Sequence, residues 1–244
     1  GILAVIGIIY GALGCLAQTD MKRLIAFSSV AHMGFVMLGI STLTTFGINA
    51  ALFGMVAHGL ITGMLFFVAG SIKHRYHTLE IKRLSGLLIQ MPKMGWILGF
   101  AAMASLGLPG LAGFWGEFPV ILAAYSPAFG VNEALFRTLM VIAAMGTVLA
   151  AGYLLWLFQR TAMGDPNPEF VSHDEPAQSL SAAANHGADA DHHDEIHDVT
   201  IVEWIAWMPF LVAIVVFGVY PQLMFKVMDP AVIQLVERVG NGIP

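Results

Sequence analysis

WILGFAAMASLGLPGLAGFWGEFPVILAAY, residues 96–125, is the stretch whose reading decides the fold. It is apolar from end to end apart from Ser105 and one carboxylate, Glu117. As a single straight helix its thirty residues would extend about 45 Å, against roughly 30 Å for the hydrocarbon core of a bilayer. Leu108-Pro109-Gly110 sits near its middle. Proline lacks a backbone donor and clashes with the preceding turn, so the helix is predicted to break near Pro109. At membrane depth a break is tolerated only where protein or a polar cavity satisfies the freed carbonyls.

Working outward, five more stretches are long and apolar enough to be read as membrane spans: 2–17, 24–43, 48–72, 135–158 and 204–225. The first is short, and the chain is expected to begin partway through a longer protein, with no signal peptide in front of it. Composition agrees. Of 244 residues, 57% are hydrophobic and 11% charged, and the mean hydropathy is +0.76. Such a chain is neither an ordinary soluble domain nor a disordered one. The expected fold is an all-α polytopic membrane protein of six transmembrane helices, the fourth broken near Pro109.

The net charge of −5 conceals an asymmetry. Between Asp165 and Glu203 lie ten acids and no Lys or Arg, while the rest of the chain holds six acids and eleven bases. The acidic stretch, 164–203, divides a bundle of five spans (1–163) from the final span and C-terminal tail (204–244). It is rich in Asp, His, Pro, Ser and Ala and reads as a flexible, solvated loop. The short loops after the first, third and fifth spans carry eight Lys or Arg, and the opposite side carries three. This bias places the eight in the cytoplasm and the C-terminus outside. Trp96, Trp156, Trp204 and Trp207 fall near predicted span ends, as interface anchors do.

Ionisable groups inside the spans are few, and each costs at least about 2.5–3.5 kcal/mol at mid-helix, so function is the default reading. Glu117 is the only carboxylate there, in Gly113-Phe114-Trp115-Gly116-Glu117-Phe118-Pro119. Burial brings carboxyl protonation towards neutral pH, which suits a proton-relay acid. His58 and His32, mid-span in the third and second spans, suit relay imidazoles. Lys22, at the cytoplasmic entry to the second span, reads either as a relay group or as a snorkelling positive-inside residue.

The acidic loop places His186, His192, His193 and His197 beside Asp189, Asp191, Asp194, Glu195 and Asp198. His193-Asp-Glu-Ile-His197 is not H-E-x-x-H, so neither a zinc peptidase nor any resident metal is expected. The lone Cys15 holds no iron–sulfur cluster, and neither G-x-G-x-x-G nor a Walker A sequence is present. No redox cofactor and no nucleic-acid partner is expected in this chain. Its chemistry is then movement of protons or ions, or work driven by a partner.

At these residues a resemblance enters. The run from Ala17-Gln18-Thr19-Asp20-Met21-Lys22-Arg23 through Ser28-Ser29-Val30-Ala31-His32-Met33-Gly34 closely resembles the antiporter-like membrane subunits of respiratory complex I. Ala57-His58-Gly59-Leu60, Leu106-Gly107-Leu108-Pro109-Gly110 and Gly113-Phe114-Trp115-Gly116-Glu117-Phe118 continue it. The last motif looks like that of the subunit M branch, whose Glu separates it from relatives that tend to carry Lys there. The resemblance covers all six spans and leaves the acidic loop unmatched. It implies a larger subunit with two inverted five-helix repeats, this chain being the second repeat plus the final helix. It also implies an outward half-channel with Glu117 as exit-side acid and His58 and His32 as relay groups. The partners implied are the other membrane subunits of complex I, including neighbouring antiporter-like subunits, in a bacterial inner membrane. The family's central lysines and the essential acid of its first repeat have no counterpart in this chain. A subunit of a multisubunit cation/proton antiporter or of a membrane-bound hydrogenase, built on the same scaffold, is the alternative. A passive scaffold bundle is a remoter one.

Overall fold

The computed structural model describes residues 1–128, 130–170 and 196–240. Nine α-helices and one short 3-10 turn make up the described residues, with no strand among them. They are α1 (Ile2–Leu16), α2 (Met21–Ser41), α3 (Thr45–Tyr76), α4 (Leu87–Gln90), α5 (Pro92–Ser105), α6 (Ala112–Tyr125), α7 (Glu133–Ala162), α8 (Ile201–Val219) and α9 (Gln222–Gly240). Four are long and apolar enough to cross a membrane: α2, α3, α7 and α8. At 15 residues, α1 is apolar but shorter.

Local sequence sets the helix ends. The Asp20 carboxylate accepts from the Arg23 amide at 2.9 Å, the Thr44 hydroxyl from Gly47 at 3.0 Å, and the Asn132 carbonyl oxygen from Leu135 at 3.0 Å. Each satisfies one of the orphan donors of a helix N-terminus. Thr200 and Glu203 form a reciprocal capping box on α8. Pro92 opens α5, where its missing N–H costs nothing.

Helix α5 ends at Ser105 and α6 begins at Ala112. Between them Gly107 and Gly110 take φ of 75° and 93°, the left-handed region that glycine enters without strain. Outside this segment α8 closes over the bundle. A Cβ on Gly218 would lie 2.3 Å from the Gly110 carbonyl oxygen, and the Trp115 indole donates to the Gly218 carbonyl at 2.7 Å.

Two expectations about the last span fail. The apolar run 204–225 is not one helix, because α8 stops at Val219 and α9 starts at Gln222. Pro221 removes a donor and biases Tyr220 away from helical geometry; Tyr220 takes φ −128° and ψ 68°. The supposed C-terminal tail is the helix α9. Nor is Trp207 an interface anchor: it is 3% exposed. Trp207, Ile214 and Gly218 share the face of α8 turned to the bundle, while Val202, Ile205, Val212 and Val219 face outward. Trp96, by contrast, is 68% exposed at the start of α5.

The described ends of the acidic stretch are docked. Glu169 pairs with Arg83 and holds that guanidinium above its ordinary pKa. The Asp198 carboxylate accepts from the Lys93 and Met94 amides at 3.0 and 3.1 Å, capping α5. Glu203 pairs with Arg75 at 2.7 Å. The reading of the stretch as a solvated loop is therefore corrected at both ends, where its acids meet helix termini and arginines. His186, His192 and His193, with Asp189, Asp191, Asp194 and Glu195, lie outside the described residues.

Candidate functional site

His32 sits on α2 about 16 Å from its start, and His58 on α3 about 20 Å from its start, so both are deep within long helices. Helix α3 turns Gly54, Ala57, His58 and Ile61 towards α2 and α6. Close approach seats α6 against α3 and α5. A Cβ on Gly116 would lie 2.4 Å from Gly54 Cα, and one on Gly113 would lie 2.1 Å from the Ala104 carbonyl oxygen. Small residues at such crossings let backbones meet, as in membrane helix pairs generally.

The result is a buried polar cluster. His32 Nδ1 and Glu117 Oε1 are 2.5 Å apart, with side chains 6% and 12% exposed. The other ring nitrogen, Nε2, lies 3.2 Å from the Ser105 hydroxyl and 3.3 Å from the Tyr153 hydroxyl. The His32 and His58 rings are 5.4 Å apart between centroids. His58 Nε2 lies 3.1 Å from Ser29 Oγ, and Thr62 Oγ1 lies 3.2 Å from the His58 ring nitrogens. Gly107 has a second use here: a Cβ on it would come 3.3 Å from Glu117 Oε2, so glycine leaves the carboxylate its space. His32, His58, Ser105 and Glu117, with Gly54 and Gly116, line one small cavity of about 20 Å³, room for about one water.

The arrangement tolerates more than one protonation state. When His32 is neutral it donates from Nδ1 to the carboxylate, and Nε2 accepts from a hydroxyl. When His32 is protonated both nitrogens donate, and the hydroxyls of Ser105 and Tyr153 turn round to accept. Hydroxyls serve as donor or acceptor by rotation, so neither state leaves a buried polar group unpaired.

Three of the four sequence-predicted residues, Glu117, His32 and His58, are brought together. Lys22 is not: it is exposed in the first turn of α2, about 15 Å along the helix from His32. Ser29, Thr62, Ser105 and Tyr153 were missed. Ser29 lies three residues before His32 and Thr62 four after His58, spacings that share a helix face and signal both. Ser105 was visible as the one hydroxyl before the break. Nothing in the sequence marks Tyr153, which reaches the cluster from α7. Among the described residues no group of three or more His, Cys, Asp or Glu is placed to hold a metal ion.

Comparison with known proteins places the chain in a family. NADH-quinone oxidoreductase subunit M of Rhodobacter capsulatus is 39% identical over 239 residues, covering 97% of this chain and 40% of that protein. Respiratory complex I from Thermus thermophilus contains a chain of the same fold, with a TM-score of 0.78 and 28% identity over 96% of this chain and 43% of that one. The Mrp complex from Dietzia sp. DQ12-45-1b shares the fold at a TM-score of 0.77 and 20% identity, over 96% of this chain and 46% of its own. The chain thus spans about 40% of the length of the relatives it matches. The family described as NADH:quinone oxidoreductase/Mrp antiporter, TM matches residues 1–145, and the chain belongs to it.

Proposed function

We propose that this chain is the C-terminal part of a proton-translocating subunit M of a bacterial NADH:quinone oxidoreductase, and that it supplies the outward half-channel. One observation carries the reading: a 2.5 Å His32–Glu117 bond beside His58, buried at a cavity between four apolar helices, α2, α3, α5 and α6. A pure scaffold gains nothing from the cost of placing these groups at that depth.

The proposed span count is six: α1, α2, α3, the interrupted pair α5 and α6, α7, and α8. The first five form one repeat of a longer antiporter-like protein. The eight-to-three excess of Lys and Arg puts the starts of α2 and α8 and the end of α3 in the cytoplasm, and the C-terminus outside. Ser29 and Thr62 then lie on the cytoplasmic side of the histidines.

A proton enters past Thr62 and Ser29 to His58. It crosses to His32 Nε2 by rotation of the ring or through the single water that a cavity of this size has room for. His32 passes its Nδ1 proton to Glu117 Oε1 along the 2.5 Å bond, and the neutral carboxylic acid faces the cavity. Each transfer moves one proton between groups already in hydrogen-bond reach or one water apart. Lys22 is proposed as the most remote relay member, feeding the entry side. Electron transfer takes place in other subunits of the complex, which are the proposed partners of this chain.

The test is Glu117→Gln in the full-length protein within the intact complex. The amide keeps an acceptor for His32 and removes the titrating acid. Proton delivery per NADH oxidised is expected to fall while the complex stays assembled. Unchanged delivery together with unchanged quinone reduction sinks the relay role.

A further inference from the structure

Helix α9 lies along the outward end of α3 in a matched register. The Asn49 amide donates to Asp229 Oδ1 at 2.7 Å, and one turn on, the Phe53 and Phe225 rings are 5.1 Å apart. Residues 49 and 53 of α3 thus face 229 and 225 of α9, an antiparallel ladder with a polar rung and an aromatic rung. Phe53 is fully buried, and Phe225 also meets Trp115 at 6.5 Å between centroids.

Two further facts mark the polar rung. Asn49 is 6% exposed, and its carbonyl oxygen is buried without a hydrogen-bond partner. Asp229 is only half-buried. An orphaned buried acceptor is costly, and such groups call for a reason. Gly54, at the floor of the Glu117 cavity, is five residues and about 7.5 Å along α3 from Asn49.

From this juxtaposition we infer that Asn49 and Asp229 form the release end of the half-channel, with the Phe53–Phe225 pair as the dry barrier between them and Glu117. The inference rests on the function proposed above. When the aromatic pair parts, water joins the cavity to Asn49, whose free carbonyl oxygen takes a hydrogen bond from it. Glu117 gives up its carboxyl proton, the Asp229 carboxylate accepts one, and Asp229 then loses it to bulk water outside. No charge other than the proton moves. The carboxylate of Asp229 stands near no other acid of α9 than Glu237, two turns away, and the basic group on its own helix face is Lys226.

The experiment compares Asp229→Asn, Asp229→Glu and Glu117→Gln in the intact complex, reconstituted in liposomes. Assembly is checked on native gels, and protons delivered are read per NADH oxidised. Asp229→Asn keeps a hydrogen bond to Asn49 but holds no exchangeable acid, so its ratio is expected to fall to that of Glu117→Gln, and Asp229→Glu to restore it. If Asp229→Asn delivers protons like the unmodified complex while Glu117→Gln does not, Asp229 is only a helix latch and the inference is overturned. If Glu117→Gln is itself silent, the site reading falls first and the inference with it. Should Asp229→Asn fail to assemble, Asn49→Leu, similar in volume and without the amide, decides the matter: a lowered ratio supports the release end, an unmodified ratio overturns it.

Discussion

Two base–carboxylate pairs in this molecule are buried to a similar degree, and under the proposed function only one of them passes a proton. Arg75 and Glu203 join α3 to the start of α8, with side chains 4% and 19% exposed. The guanidinium gives two bonds to the carboxylate, at 2.7 and 2.9 Å, and spends its others on the Ser71, His197 and Asp198 carbonyls. Ser71 and the Thr200 cap occupy the remaining lone pairs of the same two Glu203 oxygens. Arginine does not deprotonate in proteins, so every charge here is permanent and every lone pair is assigned. His32 and Glu117 differ at each point. The outer partners of His32 are hydroxyls, which donate or accept by rotation, and the pair borders a cavity. Burial alone does not distinguish a relay from a clamp; the ability of the neighbours to change role does.

The comparison breaks most sharply at His32. His32→Gln leaves Glu117 a donor but no group that takes a proton on one side and gives it from the other. Proton delivery at constant quinone concentration is expected to drop by about a hundredfold, the usual scale for losing a positioned proton-transfer group. Full retention of delivery would remove the difference between the two pairs.

Next comes the clamp. Arg75→Ala strands a buried carboxylate and is expected to cost about 3 kcal/mol in stability. Thermal unfolding of the complex should show it as an earlier transition. The protons delivered per NADH by the molecules that remain assembled should stay at the unmodified value. A changed ratio in assembled complex would mean that Arg75 belongs to the path.

A smaller effect tests the hydroxyls. Tyr153→Phe removes one of two partners of His32 Nε2 and leaves Ser105, so a loss of about 1 kcal/mol in the transfer step, a few-fold in rate, is expected. The double change with Ser105→Ala should exceed the sum of the single ones, because the last partner then disappears. Strict additivity would deny the hydroxyls their reversing role.

The least effect is expected at Arg83 and Glu169, whose side chains are 42% and 45% exposed. Arg83→Gln should change neither unfolding temperature nor proton delivery, since exposed ion pairs contribute little.

Much of this was legible beforehand, for physical reasons that differ by residue. Glu117, His32 and His58 stood out because charge is rare in apolar spans, and Pro109 because proline removes a backbone donor. Their convergence was not legible: it depends on Gly54, Gly113 and Gly116, which in a sequence are merely three of 26 glycines. Tyr153 was hidden because aromatic residues in a span are ordinary core. The run 204–225 misled because hydropathy averages over Tyr220-Pro221, a two-residue turn that redirects the chain into α9. The docked ends of the acidic stretch were hidden by composition, which describes a segment and not its anchoring points.

The central claim is that Glu117 gains and loses a proton during turnover. Infrared difference spectra of the intact complex, recorded between resting and turning-over states, read this directly. The account expects a carboxylic-acid carbonyl band that shifts in heavy water and vanishes in Glu117→Gln. The same band, undiminished in Glu117→Gln, would contradict it.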